Sequence, residues 1–491
     1  HLCGHHRRVR ARRDRRLEGP VDLAPEAPDD EVLAWVGEVG GGQVVSARRQ
    51  GRWRPQWHLR VRTPEGGEHA LFLRSARDRE QVAESALLSH FSIEREGQVL
   101  AALEKTPVPA PRCFGFHAPS QSLLLEEAPG HDDFSTALHS DERRAIVRDY
   151  VGHLAALHGL DPATCAEGLD PIPTTPEAIA IANKFHYAEV DYLAEVDSRP
   201  RDPLLEYGRW WLRHRMPSGP RPVCLLQGDT GPGQFLFENG RVTALIDWEM
   251  AHVGDPMLDL GVMRMRELLY PTGLIDEILQ HYARCSPHPI DCEALRYYTV
   301  MSMLLSPLAI APSLAALPAS QSTIVQRLAW DAILRRGLCE ALLEANGIDP
   351  EEPSPPPTAG QNLPLHGLLV GLLRHLETSA EGEHRRYELR STGQLADVVA
   401  LRDELRACGE EADRREIAAL LGAAPDTRTA AVASVAELVT AHPEGIDAEW
   451  LQVFYRMQRR REHWLEPILG EQAHDRLVLL GADTISGKGR P

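Results

Sequence analysis

"QGDTGPGQFLFENGRVTALIDWEMAHVGDPMLDL", residues 227–260, contains two apolar, β-rich runs broken by Glu238-Asn239-Gly240-Arg241. An Asn-Gly pair between such runs is a strong hairpin signal. The flanking segments "PVCLLQGD" (222–229) and "RVTALIDWE" (241–249) carry Asp229 and Asp247, 18 residues apart. The hairpin is expected to bring both carboxylates to one end of a small sheet. Alone, Asp229 reads equally as the polar corner of a glycine-rich turn. Taken with Asp247 it suits metal or phosphate chemistry. Magnesium favours hard oxygen ligands, commonly one or two carboxylates plus substrate phosphates, so Asp247 and the Gln234 carbonyl form an adequate pair. Asp229 is then free to accept a hydroxyl proton.

Upstream, Val44 to Arg74 has a short alternating texture, and "WHLRVRTPEGGEHALFLRS" (57–75) reads as two strands joined by a Pro/Gly turn. "SIEREGQVLAALEKT" (92–106) sets Ile93, Val99, Leu100 and Leu103 at helical spacing. "PVPAPRCFGFHAPSQSLLLEEAPG" (107–130) then returns to strand, turn and strand. From Asp141 helices dominate, with an acidic first turn in "DERRAIVRDYVGHLAALHGL". Helices resume at Leu258 and run to about Asn346. Tyr297 to Gln326 holds no charged residue and is long enough to span a bilayer, but Pro307, Pro312 and Pro318 predict a buried helix followed by a loop. "GIDPEEPSPPPTAG" (347–360) has the composition of a semi-rigid linker, and 361–491 reads as a separate all-α domain.

The whole chain of 491 residues exceeds one ordinary core, so two or three domains are expected. A formal charge of -18 points away from a nucleic-acid partner. The exception is "HHRRVRARRDRR" (5–16), whose seven arginines and one aspartate give +6 and leave the rest at -24. Such a run reads as a disordered tail, here residues 1–29, with an RNA or membrane contact as the alternative. No apolar stretch of signal-peptide type follows it, so export is not expected. The eight cysteines are scattered without metal-binding spacing, which fits reduced thiols in the cytoplasm. His153 and His158 share an apolar helical stripe and read as packed or half-exposed residues rather than ligands, and Trp210 and Trp211 read as packing residues.

The 227–260 stretch closely resembles the signature of the aminoglycoside phosphotransferase and choline kinase-like enzymes, whose usual text is H-G-D-x-x-x-x-N, a hairpin, then I-D-W-E and G-D-P-x-x-D-L. The five-residue step from Asp229 to Gln234 and the 18-residue step to Asp247 both fit. The resemblance spans about residues 30–348. It implies an α+β, protein-kinase-like bilobal fold: a β-rich N-lobe (30–127), a helical C-lobe (128–348), and beyond these the all-α C-terminal domain. It further implies ATP or GTP as co-substrate, Mg2+, and a small-molecule hydroxyl acceptor. Asp229 would serve as catalytic base, Asp247 and Gln234 as metal ligands, and Arg74 as the phosphate-binding cation positioned by Glu96. Glu126 and Ala128 would lie in the hinge that receives adenine, Asp259 would brace the catalytic loop, and "GGGQVV" (40–45) would be the phosphate-covering turn.

Three positions depart from the pattern. Gln227 stands for histidine at a scaffold position. Arg74 stands for lysine, exchanging a compact ammonium for a planar fork. Gln234 stands for asparagine and reaches about 1.5 Å farther. The expected function is transfer of the γ-phosphoryl of ATP or GTP to a small-molecule hydroxyl. The competing expectation is a degenerate kinase fold acting as a nucleotide-binding or scaffolding module. "VGDPMLDL" and the Trp-Glu after Asp247 lean toward phosphotransferases associated with acyl-CoA dehydrogenases.

Overall fold

The computed structural model of the chain describes residues 27–50, 54–76, 85–165, 169, 171–195, 200–315, 324–356, 364–380 and 383–481. The arginine-rich run at 5–16 and the end of the expected linker, 357–360, lie outside the described residues.

The N-terminal lobe is a five-stranded antiparallel sheet of order β1-β2-β3-β5-β4, formed by β1 (Gln43–Arg49), β2 (Gln56–Arg62), β3 (Glu68–Ser75), β4 (Cys113–His117) and β5 (Ser122–Glu126). Period-two alternation places Trp57, Leu59 and Val61 of β2 on one face. With Leu71, Leu73 and Leu124 they make a core beneath the helix Asp30–Val39, which buries Val32 and Val36. The helix Ile93–Leu103 buries Val99, Leu100 and Leu103 in a second, larger core together with Leu123 and Leu125. Its first turn is capped by Ser92, whose hydroxyl accepts the Arg95 amide at 3.3 Å. The lobe is thus α+β, and the body beyond it is largely helical.

The hairpin in the opening stretch differs from the expected pairing. β7 (Phe235–Glu238) pairs with β8 (Arg241–Leu245) across Asn239 and Gly240, both at positive φ (51° and 75°). β6 (Cys224–Leu226) pairs instead with β9 (His252–Gly254). Asp229 and Asp247 therefore follow strands of two different small sheets. The turn chemistry was local and readable; the β6 pairing crosses 26 residues and was not.

The helix Cys292–Ala315 continues through Pro307 and Pro312, both expected to break it. Proline removes one backbone hydrogen bond, but Leu304, Leu305, Pro307 and Leu308 are buried, and that packing holds the segment helical. Pro318 lies outside the described residues. Among the described residues, no helix is long and apolar enough to cross a membrane.

The C-terminal helices, expected as a separate domain, share one continuous hydrophobic core with the helical lobe. The helix Arg428–Ala441 packs on Pro203–His214, and Ala448–Leu469 packs on Ile324–Ala345. Two ion pairs lock the second contact: buried Arg336 donates to Glu462 at 2.7 Å, and half-buried Arg461 donates to Asp331 at 2.7 Å. The described part of the acidic linker is pinned as well. The Glu351 amide donates to Gln452 at 2.9 Å, and Glu352 accepts from Tyr455 at 2.7 Å and from Arg459 at 2.9 Å. Composition suggested a spacer; complementary arginines turn it into a seam.

Candidate active site

A cleft of about 270 Å³ separates the five-stranded sheet from the helical lobe. β3 delivers Arg74 to its mouth, where Arg74 pairs in register with Gln56 and Leu123. The guanidinium bridges two acids: one nitrogen donates to Glu96 Oε1 at 2.5 Å, another to Asp247 Oδ1 at 2.5 Å. Burial alone would lower the Arg74 pKa, but Glu96 and Asp247 outweigh it and hold the guanidinium above its ordinary value. Burial pushes Glu96 up to about 7 against the pull of Arg74. Asp247 moves the other way: burial would raise it, yet Arg74 and Arg54 bring it down to about 2. Asp247 also sits at φ 65°, a left-handed conformation rare outside glycine and typical of functional strain.

The loop bearing Asp229 is built on Asp259. This fully buried carboxylate accepts the Gln227 amide at 2.9 Å on one oxygen and the Gly228 amide at 2.9 Å on the other. His158 Nε2 lies 3.0 Å from the first oxygen, and its Nδ1 lies 2.7 Å from the Tyr282 hydroxyl. Gly228 adopts φ 81°, and a Cβ there would stand 2.0 Å from the Met250 carbonyl oxygen, so only glycine fits. Gln227, at the histidine position, has every side-chain group engaged. Its amide nitrogen donates to the Gln234 and Ile246 carbonyls, both at 3.0 Å, and its oxygen accepts Tyr150 at 2.8 Å. One glutamine therefore ties the Asp229 loop to the strand leading into Asp247.

Asp229 itself is held by Gln234, whose amide nitrogen donates to Oδ2 at 2.5 Å. Two further groups reach it that sequence reasoning missed. Arg266 Nη1 lies 3.1 Å from both carboxylate oxygens, while its Nε and Nη2 donate to the Pro232 carbonyl at 3.2 and 3.0 Å. Lys184 Nζ is 3.8 Å from Oδ1. Arg266 follows Asp259 by seven residues, two helical turns on the helix Pro256–Leu269, so periodicity could have placed it on the same face. Lys184 comes from a distant helix and left no such signal.

Glu126 and Ala128 line the cleft with Glu127, whose carboxylate accepts from Arg60 and contacts His58 at 2.8 Å. "GGGQVV" is placed differently from its expected role. Gly40–Gly42 precede β1 at the sheet end where Gln43 meets Arg62, whereas Arg74 lies at the opposite end, beside the β1–β2 turn. From that turn Arg54 donates to Glu249, two residues after Asp247, and links the lobes across the cleft. His153 is half-buried on the surface of its helix, 3.9 Å from Asp149.

Magnesium can be tested against one local observation. The Gln234 Oε1 atom is buried and has no hydrogen-bond partner, while its amide nitrogen is engaged with Asp229. The Gln234 backbone carbonyl accepts the Ile246 amide at 3.0 Å, one residue before Asp247, whose carboxylate Arg74 and Arg54 hold ionised; an open amide oxygen and a carboxylate from these two residues are hard donors of the kind Mg2+ takes. Among the described residues no group of three or more His, Cys, Asp or Glu could hold a metal, so the other ligands of such an ion would be phosphate or water oxygens.

The sequence profile of the phosphotransferase enzyme family (APH) matches residues 49–298. Acyl-CoA dehydrogenase family member 11 of Rattus norvegicus is 27% identical over 232 residues, 44% of this chain and 27% of the relative. Acyl-CoA dehydrogenase family member 10 of Mus musculus is 26% identical over 198 residues, 37% of this chain and 17% of the relative. The chain thus spans about a quarter or less of these curated relatives. The crystal structure of a candidate aminoglycoside phosphotransferase from Ralstonia eutropha JMP134 superposes with a TM-score of 0.50 at 21% identity. It covers 65% of this chain and 99% of its own, and shares the bilobal fold.

Proposed function

The chain belongs to the phosphotransferase enzyme family, and from that premise we propose that it moves the γ-phosphoryl of ATP or GTP to a hydroxyl of a small molecule. The observation that carries this reading is the Arg74–Glu96 pair and Asp247 on the wall of one cleft, with the Asp229–Gln234 loop tied by Gln227 to the Ile246 carbonyl, one residue before Asp247. Glu126 and Ala128 line the cleft wall that would take the base, and Arg74, oriented by Glu96, would meet the phosphates. Asp247 and Gln234 would hold Mg2+, which when bound neutralises phosphate charge. Asp229 would accept the acceptor's hydroxyl proton as the acceptor oxygen bonds to the γ-phosphorus and the β–γ bridging bond breaks, its electron pair leaving with ADP or GDP. Catalysis of this kind is mainly alignment and charge neutralisation, which a few fixed groups can supply. The cysteines, scattered along the chain without metal-binding spacing, fit a cytoplasmic setting as part of this proposal.

A second reading, a nucleotide-binding or scaffolding module without turnover, draws on the closure of Arg74 onto Asp247 and on the substituted Arg74 and Gln234. Thermal-shift titration with ATP and Mg2+, followed by nucleoside diphosphate release across a panel of hydroxyl metabolites, separates the two. Catalysis predicts stabilisation by nucleotide and turnover lost in Asp229→Ala. Stabilisation without turnover on any acceptor or on water favours a nucleotide-binding module, and no stabilisation by ATP or GTP at any Mg2+ concentration counts against catalysis and leaves the scaffolding module.

A further inference from the structure

Apart from buried Asp259, whose oxygens already accept the Gln227 and Gly228 amides, the charges gathered around Asp229 are two cations. Arg266 and Lys184 both face it, with side chains 11% and 6% exposed. Their situations differ. Arg266 is committed: its nitrogens engage both Asp229 oxygens and the Pro232 carbonyl, and its side chain lies against Gly231 and Gly233, where a Cβ would come within 3.2 and 3.3 Å of it. It is a positioning residue. Lys184 is not committed. Among the described residues its one ion pair is with Asp229 at 3.8 Å, beyond hydrogen-bond reach, and Asp229 already has Arg266 and Gln234 as donors.

Burying an ammonium costs several kcal/mol unless an anion and hydrogen bonds compensate. Consistently, burial lowers the Lys184 pKa even though Asp229 acts to raise it. The position of Lys184 is nevertheless built rather than incidental. Buried Asn183 accepts the Phe185 amide at 2.9 Å and donates to the Ala180 carbonyl at 2.9 Å, fixing the start of the helix Lys184–Glu195. The same helix is tied to the N-terminal lobe by Asp191, which accepts from Ser85 Oγ at 2.7 Å and from the Ala86 amide at 2.6 Å. Asp259 acts on this anchored, buried lysine only from a distance, so among the described residues no anion but Asp229 touches its ammonium, and the position is open to one.

On the phosphotransfer reading, on which this step rests, that anion arrives with the reaction. We propose that Lys184 is a catalytic residue whose ammonium contacts the γ-phosphoryl group as it passes from nucleotide to acceptor. As the bond from the β–γ bridging oxygen to phosphorus breaks and the acceptor oxygen bonds to phosphorus, the acceptor proton goes to Asp229. Lys184 keeps its protons throughout and offsets charge on the transferred oxygens.

The test needs no knowledge of the acceptor. Calorimetric titration with ADP and with a non-hydrolysable ATP analogue, both with Mg2+, is run on wild type, Lys184→Met and Lys184→Arg. The expected result for Lys184→Met is about tenfold weaker binding of the triphosphate, with ADP affinity within about twofold of wild type. Hydrolysis of ATP to water should slow by about 100-fold, and Lys184→Arg should recover part of both losses. The melting temperature of Lys184→Met should not fall, because methionine fills the volume without a buried charge. An unchanged triphosphate-to-diphosphate affinity ratio overturns the Lys184 role and leaves the phosphotransfer reading standing, as does an equal loss for both nucleotides. A wild type that binds neither these nucleotides nor their guanine counterparts overturns both.

Discussion

Asp259→Asn isolates the brace beneath the Asp229 loop. In the wild type one Asp259 oxygen accepts the Gly228 amide, and the other accepts the Gln227 amide and faces His158 Nε2. Asparagine offers one acceptor oxygen. Keeping that oxygen toward Gln227 and His158 turns its amide nitrogen on the Gly228 N–H, donor against donor, and strands both. The reverse orientation is worse, because two contacts fail instead of one. A buried donor left unsatisfied costs about 1–3 kcal/mol, and losing charge assistance on the remaining bond adds about 1 kcal/mol more. The expected destabilisation is therefore about 3 kcal/mol. For a 491-residue chain melting as one unit, that corresponds to a fall in Tm of about 3 °C. Function should suffer more than stability, because Gly228 precedes Asp229 and its φ of 81° is held by the lost contact. Differential scanning calorimetry and the rate of ATP hydrolysis read the two effects. A variant that melts within 1 °C of wild type and hydrolyses ATP at the same rate would refute the view that Asp259 fixes the loop.

Gly261→Ala should cost about 2–3 kcal/mol, since its Cβ would sit 2.7–2.9 Å from the Tyr298 and Thr299 backbone; an unchanged denaturation midpoint would mean the two helices can part freely. His252 is fully buried, its Nε2 has no hydrogen-bond partner, and burial lowers its pKa from 6.5 to about 4. The unfolded chain therefore binds more protons than the folded one between those values, so His252 withdraws stability as pH falls through that window, by about 2 kcal/mol between pH 7 and pH 5. His252→Gln should flatten the decline in urea midpoint over that range, and parallel curves for variant and wild type would argue against the mechanism. Gln234→Asn retracts the amide by about 1.5 Å. It should break the 2.5 Å contact to Asp229 and slow turnover several-fold while nucleotide affinity without Mg2+ stays level; turnover equal to or above wild type would show that Asp229 does not need this donor.

Chain order alone carried a good deal of this protein. The alternation of Trp57, Leu59 and Val61, the Asn239-Gly240 turn, and the helical spacing from Ile93 to Leu103 each record a backbone preference within a few residues. The 18-residue step from Asp229 to Asp247 and the Gly-Asp-Pro run before Asp259 mark the helical lobe for the same reason. What failed depended on distance. The family resemblance made "GGGQVV" (40–45) the phosphate-covering turn, but register sets Gly40–Gly42 at the end of the sheet away from Arg74. Pro307 obeyed the packing around it rather than its own propensity, and the acidic linker found arginines about a hundred residues away. The surroundings of Asp229 show the division most sharply. Its identity and the role of its partner Asp247 could be argued from spacing, because both follow short strands. That Lys184 and Arg266 converge on it, one loosely and one fully engaged, was decided only when three remote segments packed together, since side-chain charges reveal their partners only through tertiary contact.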